Sequence, residues 1–94
     1  MEGDQLILSK YNEFKKEHSN RIPLFRHEGT GFYETFQKDA RLVAKVCELH
    51  ITERIATNRK GEPKVDLIMT GFPHKDLEVN LRKLLGTGHK VSIL

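Results

Sequence analysis

The 94-residue sequence has little of what secreted, membrane-spanning or disulfide-bonded proteins require. Its single cysteine, Cys47, rules out an internal disulfide and fits a reducing compartment. No apolar run approaches the roughly 20 residues that a membrane span needs. The first ten residues also lack the basic segment and apolar run of a secretory signal. We therefore expect a cytoplasmic protein with no membrane partner, associated with the nucleoid if the organism is bacterial.

Motifs that mark several classes of binding and catalytic site are missing as well. A phosphate-binding loop would read GxxxxGK[ST], and neither of the segments 29–31 and 86–88 continues in that way. The five histidines are scattered without HExxH spacing, and a lone cysteine cannot form a CxxC pair, so we expect no metal and no cofactor. Cys47 falls on the apolar stripe of a predicted helix, where a small core residue is more usual than a nucleophile.

What the sequence does contain is typical of one globular domain. Apolar residues make up 37% and charged residues 31% of the chain, which is too apolar for a disordered protein and enough for one modest core. We therefore predict a single domain over residues 1–94. The net charge is +3 and the pI is near 9.1, which permits an anionic partner without requiring one.

Hydrophobic periodicity predicts helices and strands in the order α-β-α-β-β-α-β. The expected fold class is α/β (α+β), a mixed β-sheet flanked by about three helices. Two strand–helix–strand crossovers imply parallel pairings, and one hairpin implies an antiparallel pairing. Pro23 favours a strand edge or a strand start. The predicted elements are a helix ending near His18, strand 22–25, helix 35–49 with a stripe of Phe36, Ala40, Val43 and Cys47, strands 50–57 and 65–70, helix 75–85 and strand 90–94.

The segment EGTGFYETF, residues 28–36, places an aromatic pair and a carboxylate directly after two glycines. In an extended chain Phe32 and Glu34 project from one side and Tyr33 from the other, so Tyr33 can pack inward while the other two face outward. An exposed aromatic ring can insert into a DNA base step, and a carboxylate can accept a hydrogen bond from a base edge. The string also suits a strand end that buries its phenylalanine, which is the commoner case for so short a motif.

Longer stretches resemble the N-terminal mismatch-recognition domain of the MutS family of DNA mismatch-repair proteins. That family's pattern runs F-x-R-x-G-D-F-Y-E-x-F-x-x-D-A, then L-T-x-R, then P-M-A-G-x-P, and finally G-x-x-V-A-I. The similarity covers nearly the whole chain, with four blocks in the same order. The residues that carry these blocks are Phe25, Phe32, Tyr33, Glu34, Phe36, Asp39 and Ala40; Thr52 and Arg54; Met69, Gly71 and Pro73; and Leu81, Lys83, Leu84, Gly88, Val91 and Ile93.

The resemblance implies a DNA-binding module of the mismatch-repair type. It implies that Phe32 stacks on a mispaired base, that Glu34 hydrogen-bonds that base and that Met69 lies near the DNA backbone. The implied partners are double-stranded DNA, preferably mismatched or distorted, and other mismatch-repair proteins. The ATPase part of the family is not matched by this sequence, so no enzymatic activity is implied for it. Further contacts with the DNA backbone are expected, mainly by charge, from Arg26, Arg54, Arg59, Lys60, Lys64 and Lys75.

The sequence departs from the family pattern most clearly before Phe32. EGTG stands where the family has Gly-Asp, which lengthens the loop that presents the ring. Ile68 and Thr70 replace a proline and an alanine, and Lys75 stands where histidine is usual.

Two other function classes remain open on the sequence. A lone recognition domain can act as a protein-interaction module that docks on a repair protein without using DNA directly. A metal-dependent nuclease would need Asp39, Glu62 or Asp66 brought together by the fold, although no metal-ligand spacing is visible.

Overall fold

A computed structural model describes the backbone of residues 2–94 and the side chains of residues 6–94. This part of the chain forms a five-stranded mixed sheet with α-helices packed on both faces, which confirms the predicted fold class. None of its helices has the length and apolar character needed to cross a membrane. The elements are α1 (Glu2–Glu17), β1 (Arg21–His27), β2 (Phe32–Phe36), α2 (Gln37–Cys47), β3 (Thr52–Thr57), β4 (Pro63–Pro73), a 3-10 turn (His74–Asp76), α3 (Leu77–Gly86) and β5 (Lys90–Ile93).

The strand order in the sheet is β3-β4-β2-β1-β5. β1 and β5 are parallel, and the other three pairs are antiparallel. The two helical crossovers run from β2 to β3 and from β4 to β5, and each joins strands of the same direction. The prediction that they create parallel pairings is nevertheless wrong, because other strands lie between the strands they connect. The parallel pair is made instead by the first and last predicted strands, which are β1 and β5.

The element order differs from the predicted one by one additional strand, β2. It occupies a segment predicted as a loop and the start of a helix, and it is paired on one side with β1 and on the other with β4. The change from strand to helix occurs at Gln37, whose φ of 53° lies in the left-handed region. The Gln37 side chain supports this turn, because its Oε1 accepts a hydrogen bond from the Ile68 N–H at 3.0 Å. Phe36 therefore ends a strand and does not belong to the helical stripe.

Pro23 lies near the start of β1, as predicted, although β1 as a whole lies between β2 and β5 in the sheet. The pairing of β1 with β2 begins only at Phe25, whereas its pairing with β5 includes Pro23. Hydrogen bonds from Leu94 N–H to Leu24 O and from Arg26 N–H to Leu94 O show that the even-numbered residues face β5. The nitrogen of Pro23 therefore points towards the β2 side of β1, where β2 is not yet paired. The missing N–H consequently removes no hydrogen bond from the sheet.

Two buried clusters lie on opposite faces of the sheet. The larger lies beneath α2 and α3 and contains Cys47, whose thiol has a pKa raised by burial. The smaller lies beneath α1 and consists of Tyr11, Phe36 and Leu67. β2 contributes side chains to both clusters, since Tyr33 belongs to the larger one and Phe36 to the smaller.

Candidate nucleic-acid interface

Alternation along β2 divides the aromatic pair between the two faces of the sheet, as predicted. Tyr33 is 4% exposed and packs against Phe72, with ring centroids 5.9 Å apart, and against His74 at 4.8 Å. Phe32 is 38% exposed and lies on the same face as Glu34, which is half-buried. The strand thus anchors itself with one ring and presents the other to solvent.

The loop before Phe32 is attached to the strands on both sides of β2. The Gly31 N–H donates to the carbonyl of His27 at 2.9 Å, and the His74 N–H donates to the carbonyl of Gly31 at 2.8 Å. The ring of His74 also lies within hydrogen-bonding distance of the Phe32 carbonyl, at 3.2 Å from Nε2. Gly31 has a φ of 72°, which glycine adopts without strain. His74 therefore helps to fix the presented ring, a role that no motif in the sequence signals.

Gly71 makes room for Glu34 on the neighbouring strand. The two residues are direct partners in the β2–β4 ladder. A Cβ on Gly71 would lie 2.7 Å from the carbonyl oxygen of Tyr33 and 3.3 Å from the Cγ of Glu34. Because the first of these atoms belongs to the backbone, β2 itself would have to move to accept any side chain here.

We expect Gly71→Ala to lower the free energy of unfolding by about 1 to 3 kcal/mol, because overpacking forces the backbone apart. The matched control is Gly86→Ala at the end of α3, where nothing lies within 4 Å of the added Cβ. That variant is expected to be neutral or slightly stabilising. Urea unfolding followed by circular dichroism measures both, and equal effects of the two substitutions would contradict the close contact between β4 and β2.

A cleft of about 470 Å³ opens beside the presented ring. It is lined by Phe32 and Glu34 on β2, by Met69 and Gly71 on β4, and by residues 48–50 of the loop that follows α2. The cleft combines an aromatic ring, a thioether and a carboxylate in one concave surface. It thereby brings together three of the residues that the sequence singled out.

The basic residues predicted to contact DNA are distributed unevenly around this site. Lys75 is exposed and follows Pro73, the ladder partner of Phe32, by two residues. Arg26 is the partner of Tyr33 and therefore lies on the opposite face, where its Nη1 donates to the Tyr33 hydroxyl at 3.3 Å. Lys75 thus lies near the end of β2 that carries Phe32, whereas the side chain of Arg26 lies on the opposite face of the sheet.

The remaining cations belong to the β3–β4 hairpin. Arg54 is engaged within the protein, since its Nε and Nη2 bind the Asp66 carboxylate at 3.0 and 2.9 Å and lower the pKa of Asp66. Arg59 and Lys60 occupy the exposed turn, and Lys64 lies one residue into β4. β4 spans ten residue steps of about 3.3 Å, so this tip lies roughly 30 Å from Phe32.

The three carboxylates considered for a nuclease are separated by the fold. Asp39 is buried and accepts a hydrogen bond from Tyr11, Asp66 is paired with Arg54, and Glu62 interacts with Asn58 in the hairpin turn. No group of three or more histidine, cysteine, aspartate or glutamate side chains capable of holding a metal occurs among the residues that the structure describes.

Comparison with known proteins identifies the family to which this chain belongs. The family model described as MutS domain I matches residues 6–94. The chain is similar to the DNA mismatch repair protein MutS of Salinibacter ruber, with 36% identity over 91 residues, and to that of Sorangium cellulosum, with 37% identity over 87 residues. These alignments cover 97% and 93% of the chain but only 9% of each relative. The chain therefore belongs to the MutS domain I family.

Proposed function

We propose that this domain is a non-enzymatic DNA-binding module that recognises mispaired or distorted duplexes, with Phe32 as a wedge and Glu34 as a base contact. The observation that carries the proposal is the division between two adjacent rings. Tyr33 is 4% exposed, whereas Phe32 is 38% exposed at the rim of a cleft that also contains Glu34. Membership of a family whose relatives are named as mismatch-repair proteins supports DNA as the partner.

The wedge discriminates by the cost of opening a base step. An apolar ring that enters the minor groove partly unstacks a step and kinks the duplex, and the unstacking costs a few kcal/mol. That cost is smallest where pairing is already defective. Glu34 repels phosphates but accepts a hydrogen bond from a donor on an exposed base edge, so it favours an opened step over intact backbone. Together the two side chains respond to weak pairing and not to sequence.

Cations near the wedge and at the tip of the β3–β4 hairpin supply the contacts with phosphate. Lys75 lies beside Phe32, and the hairpin tip with Arg59, Lys60 and Lys64 lies roughly 30 Å away, close to the 34 Å of one helical turn of DNA. Met69 lines the cleft between the two ends. Such contacts position a protein on the duplex without reading its sequence. With few of them, we expect weak binding of matched DNA, with a Kd of about 10⁻⁴ to 10⁻⁶ M at physiological salt.

The test is a titration of fluorescent duplexes that differ only in one mismatch. We expect tighter binding of the mismatched duplex, and we expect Phe32→Ala to weaken that binding about 5- to 100-fold through loss of base stacking. Val79→Ala is the matched control, because it truncates an exposed apolar residue, 56% accessible, on α3. Equal affinity for both duplexes, unchanged by Phe32→Ala, would contradict the proposal.

A second candidate function, docking on another protein without DNA, is favoured by one feature of the hairpin. Ile55 and Val65 are direct cross-strand partners and are 64% and 39% exposed. Two adjacent exposed apolar side chains are more typical of a protein contact than of a DNA contact. A pull-down of mismatch-repair proteins with and without nuclease separates the two functions, since a complex bridged by DNA dissociates after digestion.

A further inference from the structure

We propose that His27 is a third DNA-contacting side chain of the wedge site, whose Nε2–H donates a hydrogen bond to a minor-groove acceptor of the base pair next to the inserted Phe32. The acceptor is a purine N3 or a pyrimidine O2. The inference rests on the proposed mismatch recognition and deepens it, because it adds a hydrogen-bond donor beside Glu34, which is an acceptor.

The register of β1 and β2 places His27 beside the wedge. His27 and Phe32 are the last cross-strand pair of the ladder, so their side chains share one face with Cβ atoms about 5 Å apart. Both side chains are exposed. His27 and Glu34 also line one cleft of about 340 Å³ on that face. A base pair that borders an opened step at Phe32 therefore lies within reach of His27.

The lengthened loop is folded around the imidazole of His27. The Thr30 N–H donates to Nδ1 at 3.1 Å, and the Gly31 N–H donates to the backbone carbonyl of the same histidine at 2.9 Å. Gly29 packs against the ring so closely that an added Cβ would lie 3.1 Å from Cε1. The EGTG sequence, which departs from the family pattern, thus holds the imidazole in one orientation.

This orientation also fixes the tautomer. Nδ1 can accept the Thr30 N–H only through its lone pair, so the neutral ring carries its proton on Nε2. Among residues 6–94 no acceptor within hydrogen-bonding distance of Nε2 is present, which leaves this donor to solvent or to a ligand.

The minor groove is the surface that such a donor complements. A wedge of this kind enters from the minor groove, where every base pair presents N3 or O2 acceptors at its edge. A single N–H donor beside the wedge therefore gains a hydrogen bond at any sequence, which suits a module that reads defective pairing.

Two substitutions of His27 separate its proposed contact with DNA from its hydrogen bond to the loop before Phe32. His27→Asn retains an oxygen close to the position of Nδ1 for the Thr30 N–H but removes the outer donor. His27→Gln places an amide N–H near the position of Nε2 but loses the inner acceptor. Loss of one neutral hydrogen bond predicts that His27→Asn binds a mismatched duplex about three- to tenfold more weakly than the wild type. His27→Gln is expected to bind more tightly than His27→Asn.

Modified DNA identifies the acceptor. In duplexes where adenine next to the mismatch is replaced by 3-deazaadenine, which lacks N3, the wild type is expected to lose about three- to tenfold in affinity. His27→Asn is expected to lose nothing further. Equal losses for both proteins at every flanking position, or wild-type affinity of His27→Asn, would overturn the role of His27 even if Phe32→Ala still weakens binding of the mismatched duplex. If Phe32→Ala has no effect, the proposed function fails and this inference fails with it.

Discussion

Phe36→Ala is expected to lower the free energy of unfolding by about 3 to 5 kcal/mol, whereas Phe32→Ala is expected to lower it by about 1 kcal/mol or less. The two phenylalanines lie on the same face of β2, four residues apart, yet Phe36 is 1% exposed and Phe32 is 38% exposed. Phe36 packs edge-on against Tyr11, with centroids 6.1 Å apart, and lies 5.9 Å from the ring of Phe25. Its removal opens a cavity between α1 and the sheet, because few neighbours in this small cluster can move to fill it.

Urea unfolding at a fixed protein concentration, followed by circular dichroism, measures both changes. Phe36→Leu extends the test if Phe36→Ala does not fold, and it is expected to cost about 1.5 kcal/mol. The contrast checks the placement on which the wedge depends. If Phe32→Ala were as destabilising as Phe36→Ala, the ring of Phe32 would belong to the core and would not be available to DNA.

The features that the sequence predicted correctly depend on residues close together in the chain. Period-two alternation placed Phe32 and Tyr33 on opposite faces, and helical periodicity placed Ala40, Val43 and Cys47 on the buried side of α2. The predicted hairpin of strands 50–57 and 65–70 is the antiparallel pair of β3 and β4. Side-chain period and turn composition are local properties, so one sequence suffices to read them.

The features that the sequence did not predict depend on which strands become neighbours. The strand predicted over 65–70 stops short of Gly71 and Pro73, but β4 continues through both because β2 pairs with it there. The same pairing turns the start of the predicted second helix into a strand. The charge of Arg26 predicts a DNA contact, and only the register shows that its side chain shares the face of Tyr33 and not that of Phe32. Which distant segments pair depends on how the whole sheet assembles. No short sequence motif therefore predicts these contacts.

Asp39→Ala is expected to lower the free energy of unfolding by about 3 to 4 kcal/mol, because it leaves the buried Tyr11 hydroxyl without its acceptor and breaks the ion pair with Lys15. Asp39 is 4% exposed and accepts a hydrogen bond from the Tyr11 hydroxyl at 2.7 Å. It also pairs with the Lys15 ammonium at 3.0 Å, and that side chain is only 13% exposed. Lys15 in turn donates to the carbonyl of Arg21 at 2.6 Å. One carboxylate on α2 therefore ties α1 to the rest of the domain.

Two variants and one control show how much of this stabilisation comes from the Tyr11 hydrogen bond and how much from the Lys15 ion pair. Tyr11→Phe removes one hydrogen bond and is expected to cost about 1 kcal/mol. Asp39→Asn keeps an acceptor for Tyr11 but loses the ion pair, and should fall between Tyr11→Phe and Asp39→Ala. Glu78→Ala removes an exposed ion pair with Arg82 on α3 and is expected to change stability by no more than about 0.5 kcal/mol. If Asp39→Ala were no more harmful than Glu78→Ala, α1 would not be held by this buried carboxylate, and the small cluster beneath it would have to supply the attachment alone.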